Sequence, residues 1–243
     1  MKTREVLGPS AHVRTALCYE LSSRIDLDVK QQNWDDALRT IIDDSRFESE
    51  WQRFTISKNE VMECVVPGYR AQIILIKRGK NLRETYDWMR YDQDVVRDKS
   101  MIAPVYAFTE KDGLEYLAMR FIPGSPLAEQ KVDGAEVVRV VWAYLLDRTE
   151  HEDRLGDYGL EVIPIDIKEI IEIALDRIRD AFPEIEEEDL AEKIARIAEK
   201  DQEHGLIHMD LTPYNILRLD GTVCIIDPER TRRGPLLSDF SLF

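Results

Sequence analysis

The stretch HGLIHMDLTPYNIL, residues 204–217, restricts the folds open to this chain more than any other. It sets His208, Asp210 and Asn215 within eight residues, around Pro213, between the apolar pairs Leu206-Ile207 and Ile216-Leu217. Polar groups are costly to bury without partners and cheap at a surface, so the pattern describes a polar loop on a buried platform. The residues that follow fix its geometry. Asp220-Gly221 separates ILRL from TVCIID and is a preferred pair for a two-residue hairpin turn. Pairing across that turn sets Leu219 opposite Thr222 and Tyr214 opposite Asp227. Asn215 and Asp227, twelve residues apart, then meet at the open end of one hairpin, with Asp210 on the loop leading into it.

Upstream, the hydrophobic period changes along the chain. NWDDALRTIIDD (33–44) places Ala37, Leu38, Ile41 and Ile42 on one helical face, with Asn33 as N-cap. Residues 54–66 and 69–78 alternate as strands around a Pro67-Gly68 turn, and 80–98 returns to a helical pattern. APVYAF and LEYLAMRFI are two further strands, joined by a tight hairpin at Asp112-Gly113. IPGSPL (122–127) breaks the pattern as a hinge. Beyond it, 135–148, 165–182 and 187–205 read as helices, the last closed by Gly205. The chain is thus α+β: an N-terminal extension over 1–52, a small β-rich lobe over 53–122, and a mainly helical lobe over 123–243. A helical insert (126–203) precedes the polar loop and hairpin (206–229).

Composition narrows the function classes. Formal net charge is −15, which opposes a nucleic-acid surface and is compatible with cationic small molecules. No apolar run approaches a membrane span; the densest is IILI at 73–76. Cys18, Cys64 and Cys224 are widely spaced, with no CxxC and no secretory leader ahead of them, so a reducing cytoplasm is the expected location. No oligomeric state is encoded legibly.

A carboxylate and a carboxamide at one hairpin end suit Mg²⁺, which takes hard oxygen ligands together with substrate phosphates and water. Asn215 and Asp227 fit that role, and Asp210 is placed to accept a proton from a substrate hydroxyl or amine. Here the residues resemble a known family. HMDLTPYNIL followed by IID is similar to the catalytic loop H-x-D-x-x-x-x-N and metal-binding Asp of the protein-kinase-like superfamily. YLAMRFIPGSPL and IIDPER…GPLLSDF resemble its aminoglycoside phosphotransferase and choline kinase branch. The resemblance covers about residues 54–243.

It implies a two-lobed kinase-like fold that moves the γ-phosphoryl of ATP (or GTP), with Mg²⁺, to a hydroxyl of a small molecule of aminoglycoside, sugar or amino-alcohol type. Asp210 is the implied catalytic residue, and Asn215 and Asp227 hold the metal. Lys77, in IILIK, holds the α/β-phosphates, with Glu84 as its ion-pair partner and Asp92 as an alternative. Met119, Phe121 and Ile122 flank the adenine. His208 braces the loop, and Asp239 supports it.

The chain also departs from the family pattern. Pro228-Glu229 follow the metal Asp in place of Phe-Gly, there is no A-P-E, and TISKNEVMECV lacks the glycines of a phosphate loop. Only sixteen residues follow Asp227, so the second lobe is expected to be short or truncated. Two further readings fit the same residues: a compact protein kinase of RIO or Bud32 type, and a pseudokinase acting as a nucleotide-binding interaction module.

Overall fold

The computed structural model describes residues 34–45, 51–53, 59–66, 72–122, 125–127, 134–165, 169, 172, 196, 204–219 and 222–242. They fall into two compact units. The first holds the described residues up to Tyr86 and Pro104–Phe121; the second holds Asp87–Ala103 and those from Ile122 onward.

In the first unit, β1 (Gln52–Arg53), β2 (Glu60–Val66), β3 (Gln72–Gly79), β4 (Val105–Lys111) and β5 (Leu114–Arg120) form one antiparallel sheet in the order β1-β2-β3-β5-β4. The expected Asp112-Gly113 hairpin is present. Both residues have positive φ, 53° and 76°, as a two-residue hairpin turn of this hand requires. Residues directly opposite in a sheet share a face. Lys77 opposes Leu117, and Leu75 opposes Met119, so these four lie on one face of the sheet. Ile74, Ile76, Ala118 and Met62 lie on the other, where they form the core with Leu38. A bulge between Val105 and Ala107 interrupts the alternation of β4, so the two residues take opposite faces despite being two apart.

Each face is covered by a helix. α1 (Trp34–Asp43) buries Ala37 and Leu38, half-buries Ile41 and Ile42, and stacks Trp34 on Tyr106 with ring centroids 4.5 Å apart. α2 (Leu82–Val95) begins on the face that carries Lys77, with Tyr86 against Phe108 at 5.5 Å. The Glu115 carboxylate, projecting from that face, accepts the first helical N–H groups, from Leu82 and from Arg83 at 3.2 Å. An acceptor there satisfies donors that the helix itself leaves unpaired and complements the positive end of its dipole.

The second half of α2 belongs to the second unit, with α3 (Gly134–Glu150), which fulfils the expected helix over 135–148. The hairpin of β8 (Ile216–Leu219) and β9 (Thr222–Ile225) carries β6 (Ser125–Pro126) on its outer side, and β7 (His204–Ile207) pairs with β10 (Arg232–Pro235). Ser125-Pro126, inside the segment expected to be a hinge, thus add a strand to the hairpin. Tyr91, Val141, Tyr144, Leu145, Leu206, Ile207, Leu211 and Ile216 are all essentially fully buried in one core.

One expectation fails. Gly205 is not a helix cap but the second residue of β7, with no positive φ. A Cβ there would stand 2.2 Å from Thr149 Oγ1 on α3, so glycine is needed for close approach of helix and strand. Most of the expected helix 165–182 and most of 187–205 lie outside the described residues, as do Asn33, Pro67-Gly68 and the Asp220-Gly221 turn.

Candidate active site

The hairpin register derived from the sequence is the one observed: Ile216 pairs with Ile225, Leu217 with Cys224, Arg218 with Val223 and Leu219 with Thr222. The ladder extends one step further through Ile226 N–H to Asn215 O at 3.0 Å. Asn215 and Asp227 therefore stand side by side at the open end.

The loop before Asn215 is fixed by its own side chains. The Asn215 amide nitrogen donates to Asp210 O at 2.7 Å and to Asp210 Oδ2 at 3.1 Å. Two backbone bonds complete the turn, Thr212 N–H to Asp210 O (2.8 Å) and Asn215 N–H to Thr212 O (2.9 Å). Because both amide hydrogens point toward Asp210, the Asn215 carbonyl oxygen is left as an acceptor with no bond to any described residue. That polarity fits a cation. Asp210 and Asn215 are thus in direct contact, Asp227 follows on the hairpin end that carries Asn215, and all three are half-buried.

Asp239 holds the other end of the loop. Its two carboxylate oxygens accept the N–H groups of His208 (2.5 Å) and Met209 (2.9 Å), and Met209 takes a positive φ of 65° between them. His208 is fully buried, and its Nε2 donates to Ile226 O at 3.0 Å, tying loop to hairpin. A carbonyl can only accept, which sets the neutral tautomer with the proton on Nε2. Burial, assisted by the Arg148 charge, lowers the His208 pKa to about 4. The ring is a brace and is uncharged at neutral pH.

Asp227 adopts a left-handed backbone, φ 58° and ψ 59°, and opens the short 3-10 turn Pro228–Arg230. That conformation costs about 1–2 kcal/mol for a residue with a Cβ. Behind the turn lies a buried polar cluster that the sequence did not reveal. Arg148 and Asp92 form an ion pair with Nε 2.8 Å from Oδ1, too bent to count as a hydrogen bond. Tyr144 donates to Asp92 Oδ2 at 2.7 Å, and the guanidinium packs over the rings of Trp88 and Tyr144. Burial pushes the Asp92 carboxyl up, and Arg148 opposes that shift. Asp92, the alternative partner for Lys77, is thus committed to Arg148. An arginine in the last turn of a helix reads as a solvated C-terminal charge, so only its partners, among them Asp92 on α2 and Thr231 beyond β9, identify it.

The first unit carries Lys77, Glu84, Met119 and Phe121 of the implied site, and Ile122 belongs to the second. Lys77 is half-buried on β3, the middle strand of five, and Met119 is buried on the same face. Glu84 is exposed in the first turn of α2. Phe121 and Ile122, both half-buried, follow β5. Among the described residues no cluster of three or more His, Cys, Asp or Glu could hold a metal.

Comparison with known proteins gives the family. No protein of curated function matches the sequence. The model of the phosphotransferase enzyme family matches residues 83–243, about two thirds of the chain. Among solved structures, a thermostable mutant of aminoglycoside phosphotransferase APH(4)-Ia in ternary complex with AMP-PNP and hygromycin B aligns with TM-score 0.51 at 16% identity, over 82% of this chain and 73% of that one. Macrolide 2′-phosphotransferase MphH from Brachybacterium faecium aligns with TM-score 0.52 at 15% identity, over 80% and 71%. At such identities the likeness concerns the fold, which is that of the protein-kinase-like superfamily. The matched family model and that fold agree: the chain belongs to the phosphotransferase enzyme family, on the aminoglycoside phosphotransferase branch of the protein-kinase-like superfamily.

Proposed function

We propose that the protein transfers the γ-phosphoryl group of ATP to a hydroxyl of a small molecule. The observation that supports this reading is the Asn215 carboxamide, whose nitrogen is bound to Asp210, on the hairpin end that also carries Asp227. Asn215 Oδ1 and Asp227 are the groups that would hold Mg²⁺, which when bound neutralises phosphate charge. Asp210, its Oδ2 fixed by Asn215, orients the acceptor hydroxyl. As the new oxygen–phosphorus bond forms and the β–γ bridge breaks, the hydroxyl proton passes to Asp210 and ADP leaves. Lys77 takes the α/β-phosphates with Glu84 supporting it, and Met119, Phe121 and Ile122 take the adenine. The net charge of −15 favours an amine-bearing acceptor, such as an aminoglycoside or amino alcohol, in the cytoplasm.

Thermal melting with and without Mg-ATP tests the site. Ligand at a hundred times its dissociation constant adds about 2.7 kcal/mol to the folded state. Wild type is expected to gain that and Asp227→Ala to lose it. A shift in neither protein with any nucleotide would end the phosphotransferase reading. A shift in wild type without turnover on any acceptor would favour a nucleotide-binding module instead.

A further inference from the structure

We infer that Thr231 and Arg148 are positioning residues for Asp227, setting the metal affinity of a site to which neither contributes a ligand. The inference rests on Asp227 as a magnesium ligand, as proposed above.

Local sequence does not explain the backbone of Asp227. A left-handed conformation is unfavourable for a residue with a Cβ, and the following Pro228 further restricts its predecessor toward extended backbone. The Asp227 side chain makes no capping bond to the turn it opens. Backbone bonds hold the segment on both sides. Upstream, the Ile226 N–H is bound to Asn215 O at 3.0 Å. Downstream, the turn is closed on Pro228 O by two donors of one residue: Thr231 N–H at 3.2 Å and the Thr231 hydroxyl at 2.7 Å.

That hydroxyl is itself held. Arg148 Nη2 donates to it at 2.8 Å, so Thr231 Oγ1 must turn its own hydrogen toward Pro228. Arg148 is fixed in turn by Asp92 and by the rings of Trp88 and Tyr144. Thr231 is 1% exposed and Arg148 0%, so water cannot replace either bond. Beyond Thr231 the chain enters β10 at once, with Arg232 opposite Ile207, so the turn is pinned at its far end as well. A directed chain of contacts thus runs from Asp92 through Arg148 and Thr231 to Pro228, ending one residue from the carboxylate. Groups that orient metal ligands without touching the metal commonly set affinity by ten- to a hundredfold.

The test is titration calorimetry of a non-hydrolysable ATP analogue at graded Mg²⁺ concentrations, and without metal, on wild type, Asp227→Ala, Thr231→Ser, Thr231→Cys and Thr231→Val. Thr231→Ser keeps the hydroxyl and is expected within twofold of wild type in its Mg²⁺ requirement. Thr231→Val keeps the shape, loses both bonds, and is expected to need at least tenfold more Mg²⁺ with metal-free nucleotide affinity unchanged. Thr231→Cys, a weaker donor and acceptor, should fall between them, and carries the comparison with Thr231→Ser if Thr231→Val does not fold. The inference is overturned if folded Thr231→Val, or Thr231→Cys in its place, matches the serine variant in Mg²⁺ requirement. It is also overturned if metal-free affinity falls equally. If wild type shows no Mg²⁺ dependence and Asp227→Ala matches it, the metal-site reading itself is lost, and the positioning role with it.

Discussion

Two side chains two positions apart in the loop, His208 and Asp210, have opposite assignments, and each can be tested separately. Burial holds the His208 pKa at about 4, whereas an imidazole in an unfolded chain titrates near 6.5. Between those values the unfolded chain binds a proton that the folded one refuses. Stability therefore rises with pH across that window and is lost as pH falls from about 6.5 toward 4, by roughly 3 kcal/mol in all. Urea denaturation at pH 7 and pH 4.5 should show that loss in wild type and a flatter profile in His208→Gln. An equal slope in both would remove the imidazole as its source. For Asp210, replacement by Asn should lower turnover by about 10²–10⁴-fold while the nucleotide-induced rise in melting temperature persists. Loss of both together would instead assign Asp210 to nucleotide binding.

At the level of elements, legibility followed how local the determining interaction is. The hairpin of β8 and β9 was readable to the residue because a two-residue turn and strict alternation leave only one register. α1 was readable from its apolar face, and β4–β5 from Asp112-Gly113. The bulge at Val105/Ala107 was not, because nothing in an apolar run marks where alternation slips. Gly205 was misread for a related reason. A glycine after a helical pattern implies a cap, whereas this one answers to Thr149, fifty-six residues away. Two alanine substitutions separate the two uses of glycine. Gly205→Ala meets Thr149 and Leu236 and should cost about 1–3 kcal/mol, as overpacking does. Gly113→Ala has nothing within 4 Å and pays only for its backbone at φ 76°, about 1–2 kcal/mol. Thermal melts should show Gly205→Ala alone partly rescued by Thr149→Ala.

For the molecule as a whole, the site was legible where its chemistry is carried by consecutive residues and invisible where it is held from beneath. Asp210, Asn215 and Asp227 announce themselves by spacing; Asp92, Arg148 and Thr231 meet only in three dimensions. The buried pair among them, Arg148 with Asp92, lies in the second unit. Arg148→Met strands the Asp92 carboxylate and should cost about 3–5 kcal/mol in urea denaturation. Replacing both, Arg148→Met with Asp92→Leu, should cost less than the single change, because an apolar pair leaves no uncompensated charge. A double variant as unstable as the single one would show that the pair contributes more than the relief of its own desolvation.

The placement of α1 bears on where this protein can be cut. The family model begins at residue 83 and the sequence resemblance near residue 54, so α1 lies outside both. Yet Leu38 is 1% exposed, closing the sheet face built from Met62, Ile74, Ile76 and Ala118. A chain shortened to residue 54 would keep every residue of the implied site and present that face to water, where exposed apolar surface drives self-association. The practical limit of the domain is therefore set by a helix that carries no residue of the implied site, and a fragment beginning at residue 54 is expected in aggregates rather than in solution.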